Sequence, residues 1–113
     1  MLDKDTGITR SLFQLASARM DWLGARQKVI ATNIANADTP DYRAKEVGAF
    51  EDFLSQGEIT TRDVPKGWDL SLDGNNVVLE EQTLLANETE ENHRLAARLY
   101  RRGYDLISIA VGK

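Results

Sequence analysis

Carboxylates are the side chains here best suited to chemistry, and Glu51, Asp52 and Glu58 are a compact set of them. Two carboxylates flanking a glycosidic bond can hydrolyse it, provided they converge in a cleft that pushes their pKa values apart. No aromatic-lined cleft accompanies them, because Trp22, Trp68, Tyr42, Tyr100 and Tyr104 are scattered along the chain. Asp69, Asp73, Asn75 and Asn76 gather oxygen atoms, but the even spacing and closing glutamate of a calcium loop are missing. Asp73-Gly74-Asn75-Asn76 reads instead as a turn. The single histidine, His93, stands among Glu90, Glu91, Asn92 and Arg94, where an exposed helix position is expected. Arg94, Arg98, Arg101 and Arg102 suit either plain solvation or a partner's carboxylates. With no cysteine, thiolate nucleophiles, disulfides and cysteine-ligated metals are excluded. No glycine-rich phosphate loop, HExxH pair or GxSxG elbow is present. The expectation is a protein that is not an enzyme and has no cofactor, no metal and no small-molecule substrate.

Composition narrows the remaining classes. One hundred and thirteen residues make one small structural unit. An apolar share of 42% and a charged share of 28% fit neither a wholly disordered chain nor a membrane span. Fourteen basic residues against eighteen acidic ones give a net charge of −4, which argues against nucleic acid as a partner. Met1-Leu2-Asp3-Lys4-Asp5 lacks the basic-then-apolar pattern of a cleaved secretion signal.

Three parts must position whatever this chain presents. In the first, residues 1–39, Ile8, Leu12, Leu15, Leu23, Ile30, Ile34 and Ala37 recur at helical spacing, predicting a long helix that stops before Pro40. In the third, residues 77–113, Asn76 is the expected N-cap, with Glu80 and Glu81 in the first turn and the arginines towards the negative end. Its apolar seam is broken. Leu84, Glu88, Glu91, Leu95, Leu99, Arg102, Leu106 and Ile109 follow a heptad-like spacing with charges interspersed. Between these parts, residues 40–76 hold four basic and eight acidic side chains; Val47, Phe50, Phe53 and Leu54 suggest a short amphipathic helix. The rest shows no period, and so long a connection implies mobility or ordering by a partner. Trp68, in that irregular stretch, is a candidate contact hot spot. The fold expected is all-α: two long amphipathic helices packed as an antiparallel, coiled-coil-like hairpin, joined by a partly irregular or mobile segment. Such helices bury their stripes fully only against further chains.

The block from Ala25 to Ala44, containing Arg26-Gln27 and Ala31-Thr32-Asn33-Ile34-Ala35-Asn36-Ala37-Asp38-Thr39-Pro40-Asp41-Tyr42, closely resembles the N-terminal signature of bacterial flagellar rod and hook proteins. Its motif residues here are Ala31, Asn33, Ile34, Ala35, Asn36, Thr39, Pro40 and Tyr42; Asp41 stands where that family usually has glycine. A second block, Asp73-Gly74-Asn75-Asn76-Val77 followed by Leu79-Glu80, is similar to a segment of the family's short proximal rod subunits, with Val78 replacing an aspartate. The longer members carry a β-rich domain between the helices, whereas only residues 40–76 stand there in this sequence, which again resembles the short proximal subunits.

The resemblance implies a structural subunit of the proximal rod, exported without a cleaved signal into the periplasmic part of the basal body. It would polymerise with further copies and other rod proteins into a shaft that transmits motor torque. Its other neighbours would be the rod–ring adaptor, the membrane ring and the export gate. The subunit-interface residues expected are Leu12, Leu15, Leu23, Ile30 and Ile34 on the first helix and Leu95, Leu99, Leu106 and Ile109 on the last. The first five are expected to face the last four. Asn33 and Asn36 either pack closely through side-chain hydrogen bonds or merely end a helix. Alternatives are another axial rod protein of the same family, a small helical adaptor or export chaperone, or a wall-opening glycan hydrolase using Glu51 or Asp52 with Glu58.

Overall fold

Two helices of nearly equal length set the shape. The computed structural model describes residues 2–65 and 73–112, with side chains from Ser11 onward. Helix α1 (Leu2–Ala35) and helix α3 (Leu79–Ala110) would each be about 50 Å long at 1.5 Å per residue. They run antiparallel, with Phe13 beside Tyr100 at one end and Asn33 bonded to Gln82 at the other. The molecule measures 63 × 25 × 17 Å. Trp68 and Asp69 lie outside the described residues.

The seam between the helices is built from small and polar residues. On α3 the buried positions are Gln82, Thr89, Ala96 and Gly103, each seven residues after the last. On α1 the buried Ala16, Leu23 and Ile30 keep the same interval. Strict sevenfold recurrence on both helices is the pattern of a coiled-coil seam. Small residues let the backbones approach: a Cβ at Gly103 would lie 3.2 Å from Phe13 Cβ. The expected facing of leucines is therefore corrected in part, since Leu12 and Leu15 only line an open groove with Leu99 and Leu106. Leu23 and Ile30 are in the seam, while Leu12, Leu15, Ile34, Leu95, Leu99, Leu106 and Ile109 remain exposed. Leucine at Gln82, Thr89, Ala96 or Gly103 would push the helices apart, so the larger side chains occupy other faces.

The fold is not purely helical. Strand β1 (Lys45–Val47) pairs antiparallel with β2 (Thr61–Asp63) in the register Lys45 to Asp63, Glu46 to Arg62 and Val47 to Thr61. Cross-strand ion pairs join Lys45 to Asp63 and Arg62 to Glu46. Between the strands, α2 (Phe50–Gln56) ends where Gly57 takes a left-handed φ of 82° and donates its N–H to Phe53 O at 2.8 Å. Phe50 and Phe53 belong to α2 as the sequence predicts, but Val47 belongs to β1.

This middle segment docks on α1. Trp22 Nε1 donates to Gly48 O at 2.8 Å, and the indole meets Phe50 edge-on at 5.8 Å. The Arg19 guanidinium lies 4.8 Å from both ring centroids, a cation–π arrangement. Trp22, Leu23, Val47 and Ala96 form one buried cluster, with Phe50, Phe53 and Ile59 packed on it. Within residues 40–65 and 73–76, a segment expected to be irregular therefore has defined elements and a core contact.

Gly103→Leu is expected to force Phe13 away and destabilise the hairpin by about 2 kcal/mol, lowering Tm by roughly 10 °C. Thermal melting followed by circular dichroism measures this; an unchanged Tm would mean that the helices do not approach at Gly103.

Candidate functional site

Two segments far apart in sequence meet at the end of α1, and asparagines join them. Asn33 is 1% exposed although it lies within the helix. Its Nδ2 donates to Lys45 O at 2.8 Å and to Gln82 Oε1 at 3.0 Å. Its Oδ1 accepts from the Lys45 N–H at 2.9 Å and the Tyr42 hydroxyl at 3.4 Å. All four hydrogen-bonding positions of the amide are filled. Towards Lys45 the side chain acts as a strand would, taking both the N–H and the carbonyl of one residue.

Asn75 performs a different task. The last carbonyls of α1 are met locally, by the Asn36 N–H at Thr32 O and Asn33 O and by the Ala37 N–H at Ile34 O. The Asn75 amide instead ties down the turn that follows α1, its two N–H groups shared among Asn36 O at 2.8 Å, Ala37 O at 3.0 Å and Thr39 O at 2.7 Å. Its own Oδ1 accepts from the Val77 N–H, and Asp73 Oδ1 accepts from the Asn75 N–H. Asn76 is not the N-cap of α3. That position is Val78, with no side-chain cap bond, while Asn76 Oδ1 accepts the Ala44 N–H at 2.6 Å. The tertiary pairing across 32 residues takes the oxygen that a local cap would have used. Asn36 returns a bond to Thr32 O and accepts one from the Thr39 hydroxyl, which fixes the exit of the helix.

Asp41 shows why glycine suits its position. Its φ is 61°, and the Tyr42 N–H donates to Thr39 O at 3.2 Å across Pro40 and Asp41. Proline followed by a left-handed residue is the signature of a type II turn. Aspartate tolerates that region better than most residues. The Asp41 N–H donates to Asp73 O at 2.8 Å, and a Cβ at Gly74 would collide with the Asp41 carboxylate and lie 3.5 Å from its Cα. Gly74, at φ 81°, is thus required both by its own conformation and by its neighbour.

The signature divides into two sets. Asn33, Asn36, Thr39 and Tyr42 make the bonds of this junction. Ala31, Ile34, Ala35 and Pro40 are exposed; of these, Pro40 contributes through the backbone of the turn to Tyr42. Asn75 and Gln82 have roles that sequence reasoning missed. Asn75 carried a signal, as an asparagine in a turn next to glycine; Gln82 carried none.

The remaining candidates do not converge on a catalytic arrangement. Glu51, Asp52 and Glu58 are exposed on and just after α2. Among the described residues no group of three potential metal ligands occurs. His93 is half-buried rather than exposed, lining a groove of about 650 Å³ with Leu23, Gly24, Lys28 and Thr89. Thr89 Oγ1 is buried there without a hydrogen-bond partner. A second groove, about 310 Å³, lies between the open ends of the helices and is lined by Leu12, Leu15, Phe50, Leu99 and Leu106, with Arg19 and Arg102 beside them. Four of the nine expected interface residues thus share one apolar depression. Leu95 at 50% and Ile109 at 71% exposure lie outside it, as does Ile34 at 39%.

Residues 14–43 match the protein family described as flagella basal body rod protein. That match spans the α1 side of the seam and the whole helix exit, from Ala16 to Tyr42. Over 123 aligned positions the chain is 32% identical to the flagellar basal body rod protein FlgB of Agrobacterium fabrum, covering 88% of this chain and 92% of that protein.

Asn33→Leu is expected to strand the buried Lys45 backbone groups and Gln82, a loss of about 2–4 kcal/mol read in a thermal melt. A variant as stable as the parent would remove Asn33 as the link. Asp41→Val should cost about 1–2 kcal/mol, because a β-branched residue resists positive φ, whereas Asp41→Gly should cost nothing. Equal effects of the two substitutions would contradict the turn geometry.

Proposed function

Because the chain belongs to the flagellar basal body rod proteins and is of the FlgB type, we propose that it is a non-enzymatic structural subunit of the proximal rod. It assembles there with further copies and with other rod proteins. It lies in the periplasmic part of the basal body, near the export gate and membrane ring, where the rod–ring adaptor is also within reach.

One observation carries this reading. The hairpin seam is filled by Gln82, Thr89, Ala96 and Gly103, while Leu84, Leu95, Leu99, Leu106 and Ile109 of the same helix are 45–71% exposed. Large apolar side chains kept out of the monomer's own core are suited to burial against neighbours. Leu12 and Leu15 extend this surface across the groove. The proposed assembly surface is made of these exposed residues together with Ile34, whereas Leu23 and Ile30 are buried and hold the hairpin.

The same economy suits export and torque. Leu23, Asn33 and Thr89 are the largest fully buried side chains, and two of the three are polar. Such a core opposes threading through a narrow channel only weakly. After assembly, long helices packed side by side resist bending and twisting, as transmission of torque requires.

Leu106→Asp should abolish rod formation while export of the subunit continues, since a carboxylate in an apolar contact stays unpaired. Electron microscopy of basal bodies with a swimming assay reads the result, beside a strain lacking the gene. Normal flagella in the substituted strain would remove the α3 face from the assembly surface. Complete basal bodies in the deletion strain would remove the rod assignment itself.

A further inference from the structure

We propose that two copies of this chain associate through the outer face of α3, antiparallel and about a two-fold axis at Leu95, before they enter any larger assembly. This rests on the rod reading only for its consequence, not for the contact. Leu84, Glu88, Glu91, Leu95, Leu99, Arg102 and Leu106 fall within about 40° of Leu95 around the helix, at 3.6 residues per turn. All seven are exposed, and the hairpin seam lies on another face. The stripe covers about 33 Å of helix, more than half the length of the molecule.

The stripe is complementary to itself when reversed. Leu84 and Leu106 stand eleven residues to either side of Leu95, Glu88 and Arg102 seven, and Glu91 and Leu99 four. Laid antiparallel on a second copy, Leu95 meets Leu95, each Leu84 meets a Leu106, and each Glu88 meets an Arg102. Each Glu91 falls beside Leu99, with Arg98 adjacent on the exposed flank. Among the described residues none of Glu88, Glu91, Arg98 and Arg102 has an ion-pair partner within the chain.

Charge along the whole helix selects this orientation. The first half of α3 carries Glu80, Glu81, Glu88, Glu90 and Glu91, and the second carries Arg94, Arg98, Arg101 and Arg102 with Asp105. A parallel, in-register pair would set glutamates on glutamates and arginines on arginines, which is repulsive. A parallel pair shifted along the axis would leave half of each set unmatched. The antiparallel pair matches both halves at once and opposes the two helix dipoles. A two-fold contact of this kind is closed and does not propagate. It covers Leu95, Leu99 and Leu106, which the rod contact also uses, so a paired copy is withheld from polymerisation until the pair separates.

Sedimentation equilibrium of the purified full chain, with circular dichroism to confirm helicity, tests the contact. The intact protein should be a monomer–dimer equilibrium. Glu88→Arg and Arg102→Glu should each weaken dimerisation about tenfold or more, because each reversal acts twice across the axis. Combining the two should restore it. Leu95→Cys, in a chain with no other cysteine, should oxidise to a covalent dimer. A strictly monomeric protein, a dimer indifferent to both reversals, or open-ended polymers in place of a dimer would overturn the two-fold contact. None of these results touches the rod assignment, which is read from basal bodies in cells.

Discussion

The four hydrogen bonds of Asn33 are the constraint on which the arrangement of the chain depends. A buried primary amide has two donors and two acceptor positions, and leaving any of them empty is costly. Here one amide is shared among the strand at Lys45, the loop at Tyr42 and the helix at Gln82. It therefore fixes the middle segment and α3 against α1 at a single point. Asn75 and Asn76 complete the tie from the other side of the connection, through the turn that follows α1 and the backbone of Ala44. Polar side chains specify position here because their partners have direction, which apolar contacts lack.

Given that fixed end, the seam along the helices needs only to be narrow. Ala96 and Gly103 admit close approach, and Leu23 and Ile30 supply most of the apolar bulk. Thr89 stands in the same row with its hydroxyl unpartnered, a local cost that leucine would have avoided only by widening the seam. The consequence is a hairpin whose own stability uses few of its leucines. Those left over lie exposed along α3 and across the groove by Leu12.

The middle segment completes this division of faces. Trp22, Phe50 and the Arg19 guanidinium cover one side of α1, which leaves the outer face of α3 and the open end of the hairpin uncovered. A rod subunit has to offer several surfaces at once. In this chain each helix face has a different composition.

Periodicity and turn chemistry determined much of this locally. The two long helices, the stop before Pro40 and the turn at Gly74 follow from spacing, from proline's effect on the preceding residue and from the freedom of glycine. The asparagine signature was legible as important but not as a link, because a side-chain hydrogen bond to Lys45 or Gln82 leaves no trace in local pattern. The choice of seam was hidden for the same kind of reason. A stripe of leucines and a stripe of Gln82, Thr89, Ala96 and Gly103 both have helical period, and hydrophobicity alone favours the first. Steric closeness favours the second, and closeness exists only once two helices meet. The short strands were equally invisible, since three residues carry too little alternation to be read and are held by pairing across the loop. Sequence by itself determined which segments form the two long helices, but not their exact ends, since Asn76 bonds Ala44 instead of capping α3. The tertiary structure decided which face turns inward, because that depends on distances between residues far apart in the chain.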